Sequence, residues 1–377
     1  MKKSQPLYDI SKTFLENLHD GPQFSGTIPP RIMPNQKLWT DFLGYTIMSP
    51  IGVAACAATT SKGIALLAQL GCDVLTYKTI RAAPFPAHPL PNIVFLNAQE
   101  VETAHKRQQP VFATETPDFN NLALANSFGN AGPSAEFWHN DIKKAKAALQ
   151  PGQILIVSIY GVGKTTQELI EDYCAAAHIA AQAGADALEV NLSCPNIGDG
   201  KALLYHDPEL VYLLIKHIVA AVKFPVIAKI GLCEKNLLKQ ILLAIARAGG
   251  RGICGINSIP MEILNRDGTP AFGSESRKIS GVCGAPLRPY ALDFVKNARN
   301  IIDQEKLDLT ISGVGGVTKP EHFAELLNAG ANVALSAAGI MFNPYLAHEF
   351  HKQRKAFYEQ SIFASHIAHH PSNLQQF

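Results

Sequence analysis

The 377-residue sequence contains no CxxC pair and no Cys/His spacing suited to zinc or an iron–sulfur cluster. Its seven cysteines, Cys56, Cys72, Cys174, Cys194, Cys233, Cys254 and Cys283, stand singly in mostly apolar or Gly/Ala surroundings. That usage fits free thiols in a reducing cytoplasm, and a cytoplasmic location is the expectation. No apolar run approaches the roughly 20 residues needed to cross a bilayer. The opening "MKKSQPLYDISKTFLENLHDG" follows its two lysines with Asp9, Glu16 and Asp20, unlike a secretory signal. Only 17% of residues are charged, and the net charge of +2 is scattered, so no surface is marked for nucleic acid or an anionic membrane. Paired carboxylates, metal-ligand clusters and a Ser-His-Asp grouping are missing as well, which turns the expectation away from hydrolysis and metal chemistry.

With 47% hydrophobic residues the chain can bury a large core. From residue 48 onward one pattern recurs: a short apolar segment, a small-residue turn, then an alanine- and leucine-rich helical stretch. The apolar segments are 48–55, 73–80, 154–161, 187–194, 225–231, 252–258, 309–316 and 332–339. Segments apolar on both faces that alternate with helices predict a parallel sheet, and eight of them favour closure. The expected fold is therefore α/β, a (β/α)8 TIM barrel with an N-terminal arm and long loop insertions at its C-terminal face. The arm is placed at 1–45, the barrel at 46–350, and a C-terminal helix and tail at 351–377. The insertions, 81–150 and 259–290, are proline-punctuated and loop-like, as lids and binding loops are.

"YGVGKTTQEL" resembles a phosphate loop, but the required glycine five residues before Gly163 is Ser158. A strand-to-helix turn capped by Thr165 is the better reading. Gly313, Gly315 and Gly316 in "ISGVGGV" follow the seventh segment, and "ALSAAGIMFNP" follows the eighth. In barrels those two loops commonly hold a phosphate against backbone N–H groups. Lys78, Asn191, Cys194, Lys229, Asn257 and Ser258 all fall at segment ends, which places them at the C-terminal mouth. Asparagines and lysines there suit a neutral-to-anionic ligand rich in amide edges.

At this point the chain resembles the dihydroorotate dehydrogenase family over roughly residues 45–350. "NLSCPN" at 191–196 is close to a family signature, and "YKT" (77–79), "NSFGN" (126–130), "IAKIG" (227–231), "GINSI" (255–259), "GVCGAP" (281–286) and "SGVGG" (312–316) match in order. The resemblance implies an FMN-dependent oxidation of dihydroorotate to orotate in pyrimidine biosynthesis. It implies that Lys78, Asn126, Asn191, Asn196, Asn257 and Ser258 surround the substrate. It implies that Lys229 approaches the flavin and that Ala54, Ala55, Lys78, Thr79, Asn191, Gly281, Gly284, Gly313, Gly315, Gly316, Ala337 and Ala338 line the cofactor. Cys194 would be the base that removes the C5 proton, a thiol that marks the soluble class 1 enzymes.

The sequence departs from the family where Ala337-Ala338 replaces Gly-Thr and where Ala54-Ala55-Cys56 replaces small-Ser-Gly, each removing a hydroxyl. "GAPLRP" at 284–289 and the length of the arm look more like class 2. The electron acceptor is left open among fumarate, NAD through a partner subunit, and quinone, and a homodimer is left open too. The alternatives are an FMN oxidoreductase for another reduced pyrimidine and a degenerate FMN- or phosphate-binding barrel without catalysis.

Overall fold

The protein is described from a computed structural model covering residues 6–193 and 203–355. Eight parallel strands close a barrel in sequence order: β1 (Ile51–Val53), β2 (Val74–Ile80), β3 (Ile154–Ile159), β4 (Ala187–Asn191), β5 (Val226–Lys229), β6 (Gly252–Gly255), β7 (Thr310–Val314) and β8 (Val333–Ser336). Each lies within one of the eight apolar segments. The strands are apolar throughout because both faces are covered. Val74, Ile154, Ile156, Ala187, Ile227, Val333 and Leu335 meet inside the barrel, while alternate residues such as Leu75, Leu155, Leu188 and Ile253 pack against the outer helices. The helix Thr166–Gln182 opens with the reciprocal Thr165/Glu168 capping box, and Gly184 follows its end at φ +90°, a conformation that favours glycine.

The two insertions differ from the loops expected of them. Ile93–Leu96, Val111–Thr114 and Ala123–Asn126 from the first pair with Ile259–Leu264 and Ile279–Gly284 from the second in a closed five-stranded sheet. These strands are only four to six residues long, and those from the two insertions pair across a long sequence separation. Local pattern carries little of that information.

Residues before β1 touch both ends of the barrel. A hairpin of Thr40–Phe42 and Tyr45–Ile47 inserts Phe42, Leu43 and Ile47 into the interior cluster from below. Arg31 bonds to Asp73 at the start of β2, and the same carboxylate accepts from Ser49 and Gln153. At the other end the Leu7 amide donates to Met341 O (2.7 Å), and Tyr8 packs edge-on against Phe128 at 5.3 Å.

His351, on the helix Leu346–Gln353, is buried with Nε2 2.9 Å from Gly71 O. Burial, reinforced by Arg31, pulls its imidazole down to about 4, against the raising effect of the Gly71 carbonyl. The unfolded chain then binds the extra proton between about pH 6.5 and 4, so this contribution to stability is present above that window and lost as pH falls through it. Asp73 acts oppositely. Burial pushes its carboxyl up to about 6 despite Arg31, so its contribution falls as pH rises from about 4 to 6. His351→Gln retains a donor for Gly71 and removes only the first effect. Urea unfolding of the variant should show roughly 2 to 3 kcal/mol less acid loss between pH 7 and 4 than the parent; parallel pH curves would refute the assignment.

Candidate active site

The strand ends at the C-terminal mouth surround an open pocket of about 1070 Å³, counted out to solvent. Its position follows from topology, because every barrel strand delivers its last inward residue to the same rim. Lys78 and Thr79 come from β2, Asn191 from β4, Lys229 from β5, and Asn257 and Ser258 from the turn after β6. The side sheet adds Asn126, Cys283 and Gly284, and the β7 and β8 turns add Gly315, Gly316, Ala337 and Ala338. Ala54 and Ala55 line it after β1.

Two polar groupings hold the rim in place. Tyr173 OH donates to Asn191 O (2.8 Å), while Asn191 Oδ1 accepts from Ser193 N and Asn257 Nδ2, both at 3.2 Å. Asn257 Nδ2 also reaches Ser193 Oγ (2.9 Å), and its Oδ1 accepts from Ser258 N (2.8 Å). This web fixes the chain as it leaves β4. On the opposite wall Asn126 Nδ2 lies 3.2 Å from Cys283 Sγ and 3.5 Å from Gly281 O.

Gly315 (φ +133°) and Gly316 (φ +72°) take backbone conformations that L side chains rarely adopt. A Cβ on Gly316 would fall 2.4 Å from the Arg288 backbone nitrogen, so the loop can follow this path only as glycine. Ser336 Oγ donates to Val317 O (2.7 Å) and accepts from Ile340 N (3.1 Å), binding the β7 and β8 turns together. Bare backbone from both turns therefore faces one cavity.

Among the described residues, the formally charged ones lining the pocket are Lys78 and Lys229. Lys78 is buried and has no ion-pair partner among the described residues. Lys229 Nζ lies 3.6 Å from the Glu189 carboxylate beneath the floor. Burial lowers the ammonium's pKa, but the Glu189 carboxylate is the first influence against it, and Lys229 stays above its ordinary value. Burial, and next the Cys56 charge, push the Cys283 thiol up to about 12. Cys283 is thus a neutral wall group near pH 7. Two cations, carboxamide edges and apolar walls at Ile93, Phe128, Ile256 and Met341 suit a flat anionic ligand with a phosphate.

Of the residues predicted from sequence, Gly313 and Gly281 do not line the cavity. Strand alternation turns Gly313 outward, where a Cβ would meet Ala331, Val295 and Leu326. Gly281 offers only its carbonyl to Asn126. Cys194 and Asn196 lie outside the described residues. Cys56 (φ +102°), Cys283, Phe128 and Met341 line the pocket without having been singled out as site residues. Cys56, Cys283 and Phe128 sit inside or directly beside motifs quoted above; Met341 carries no comparable signal. Among the described residues, no cluster of potential metal ligands occurs and no helix is long and apolar enough to cross a membrane.

A family model described as dihydroorotate dehydrogenase matches residues 37–356. A dihydroorotate dehydrogenase of Dictyostelium discoideum is 36% identical over 93% of this chain and 98% of its own length. The catalytic subunit of an NAD(+)-type dihydroorotate dehydrogenase B of Methanocella arvoryzae is 28% identical over 76% of this chain and 82% of its own. A solved dihydroorotate dehydrogenase from Eimeria tenella shares the fold with a TM-score of 0.68 at 17% identity, covering 87% of this chain and 89% of that one.

Proposed function

The chain belongs to the dihydroorotate dehydrogenase family, and on that premise we propose that its mouth pocket oxidises dihydroorotate to orotate with FMN, in de novo pyrimidine biosynthesis. The observation that carries the reading is the convergence of Lys78, Lys229 and the amides of Asn126, Asn191 and Asn257 on one cavity with no lining carboxylate among the described residues. FMN fits the donor set. Bare backbone at Gly315, Gly316 and Ala338 suits a phosphate, and the apolar walls suit a fused ring. Bound FMN supplies a two-electron acceptor for the hydride leaving C6.

The chain's residues do the rest. The carboxamides meet the ring's alternating N–H and C=O groups, each amide offering both a donor and an acceptor. Lys78 balances the substrate carboxylate, and Lys229 offers a fixed positive charge to the flavin. Cys194 takes the proton from C5; an ordinary thiol, near pKa 8.5, is close enough to neutrality for reversible transfer. Apolar walls keep bulk water from competing for those groups. FMN is the one cofactor this scheme needs, and a separate electron carrier reoxidises it.

Anaerobic mixing with dihydroorotate should bleach the flavin absorbance of the purified protein. Orotate should perturb that spectrum and uracil should not, because Lys78 rewards a carboxylate that uracil lacks. A colourless protein that takes up no FMN, or a flavin reduced only by a carboxylate-free dihydropyrimidine, would overturn the proposal.

A further inference from the structure

Glu189 is fully buried inside the barrel, two residues before Asn191 on β4, and strand alternation turns Ala187, Glu189 and Asn191 to the same inward face. Register sets it beside Ser158 on β3 and Ile227 on β5, one layer below the pocket floor. The Cys254 thiol stands beside the carboxylate as a weak donor, and neither oxygen has a stronger hydrogen-bond partner among the described residues. Its compensating charge is the Lys229 ammonium at 3.6 Å, which itself lines the pocket above. Bulky branched apolar residues dominate barrel interiors, and a buried ion pair is weak evidence for stability because apolar replacements often do as well or better. Stability alone therefore leaves this carboxylate unexplained.

We propose that Glu189 is a positioning residue that holds Lys229 as a cation in the wall of the pocket that would take FMN, and thereby favours the reduced cofactor. This rests on the FMN reading above. Among the described residues, the other titratable groups near Lys229 are Cys254 on β6, Cys56 after β1 and Cys283 from the side sheet, with Lys78 across the same pocket. Burial, and next the Glu189 charge, push Cys254 well up, so it contributes a neutral thiol. Without Glu189, burial is the main remaining influence on Lys229, and it favours the neutral amine. The cation that balances charge on reduced flavin would then be lost.

The experiment is a spectroelectrochemical titration of the holoenzyme and its Glu189→Gln variant from about pH 6 to 9. The variant's midpoint potential should fall by at least a tenfold change in the reduction equilibrium, about 30 mV for a two-electron couple. It should also gain a new break in its pH dependence as Lys229 titrates. Glu189→Asp, which draws the carboxylate back by one methylene, should shift the potential less and in the same direction, and it carries the test if Glu189→Gln does not fold. A potential that rises without a new break, as removal of a bare negative charge would cause, overturns the proposal, and so does an unchanged potential. Absence of flavin from wild-type protein overturns the function reading as well, whereas flavin indifferent to Glu189 overturns this proposal alone.

Discussion

Cys194→Ser should slow anaerobic flavin bleaching by dihydroorotate on the order of 10²- to 10⁴-fold, the usual range for losing a general base. The serine hydroxyl is close in size to the thiol, so orotate binding, read from the flavin spectrum, should change little. Its proton affinity is far higher, and the rate should recover only at more alkaline pH. Wild-type bleaching should instead climb as pH approaches the ordinary thiol value of about 8.5. Cys283 cannot take over, because its thiol is pushed up to about 12 by burial and holds its proton near neutrality. Stopped-flow traces across pH give the comparison, and equal rates for the two proteins would remove Cys194 from its role.

Lys229→Met should destabilise the protein by about 3 to 5 kcal/mol, the range seen when one partner of a buried ion pair is removed. The loss comes less from the missing attraction than from what is left behind. Glu189 would remain fully buried with only the weak Cys254 thiol donor beside it and no ion-pair partner among the described residues. It must then be neutralised by taking up a proton, or the barrel must open to hydrate it. Adding Glu189→Gln removes that orphaned charge, so the double variant should be more stable than Lys229→Met alone. Urea unfolding of the two single variants and the double variant closes the cycle. Strict additivity would show that the two residues do not sense each other.

Much of the barrel is legible in the sequence because a parallel strand buried on both faces leaves an uninterrupted apolar signature. "ILIVSIYG" is such a run, and β3 occupies Ile154–Ile159 within it. Rim residues are legible for a related reason: Lys78, Asn191 and Lys229 interrupt apolar runs at their ends, and a barrel gathers strand ends. The five-stranded side sheet is not legible, since its short strands find partners far along the chain. Nor is the Glu189–Lys229 pair. Within "ALEVNLSC" the glutamate is one polar residue in an apolar segment, and only β4–β5 register brings it beside a lysine. Gly313 shows the reverse limit, since a glycine-rich motif does not reveal which glycine faces the ligand until the strand's inward face is known.

The segment before the barrel also shapes how this chain reaches its fold. Leu7 meets Met341, and Thr27 O accepts from Tyr345 OH at 2.9 Å. The Thr27–Tyr345 contact thus joins residues 318 positions apart in the sequence. Pairings this distant in sequence form slowly, because a long loop must close before any contact rewards it. During that interval Leu7, Tyr8 and Phe14 have no finished core to enter, although all three are buried in the folded protein. The segment before the barrel docks only against a barrel that has already closed.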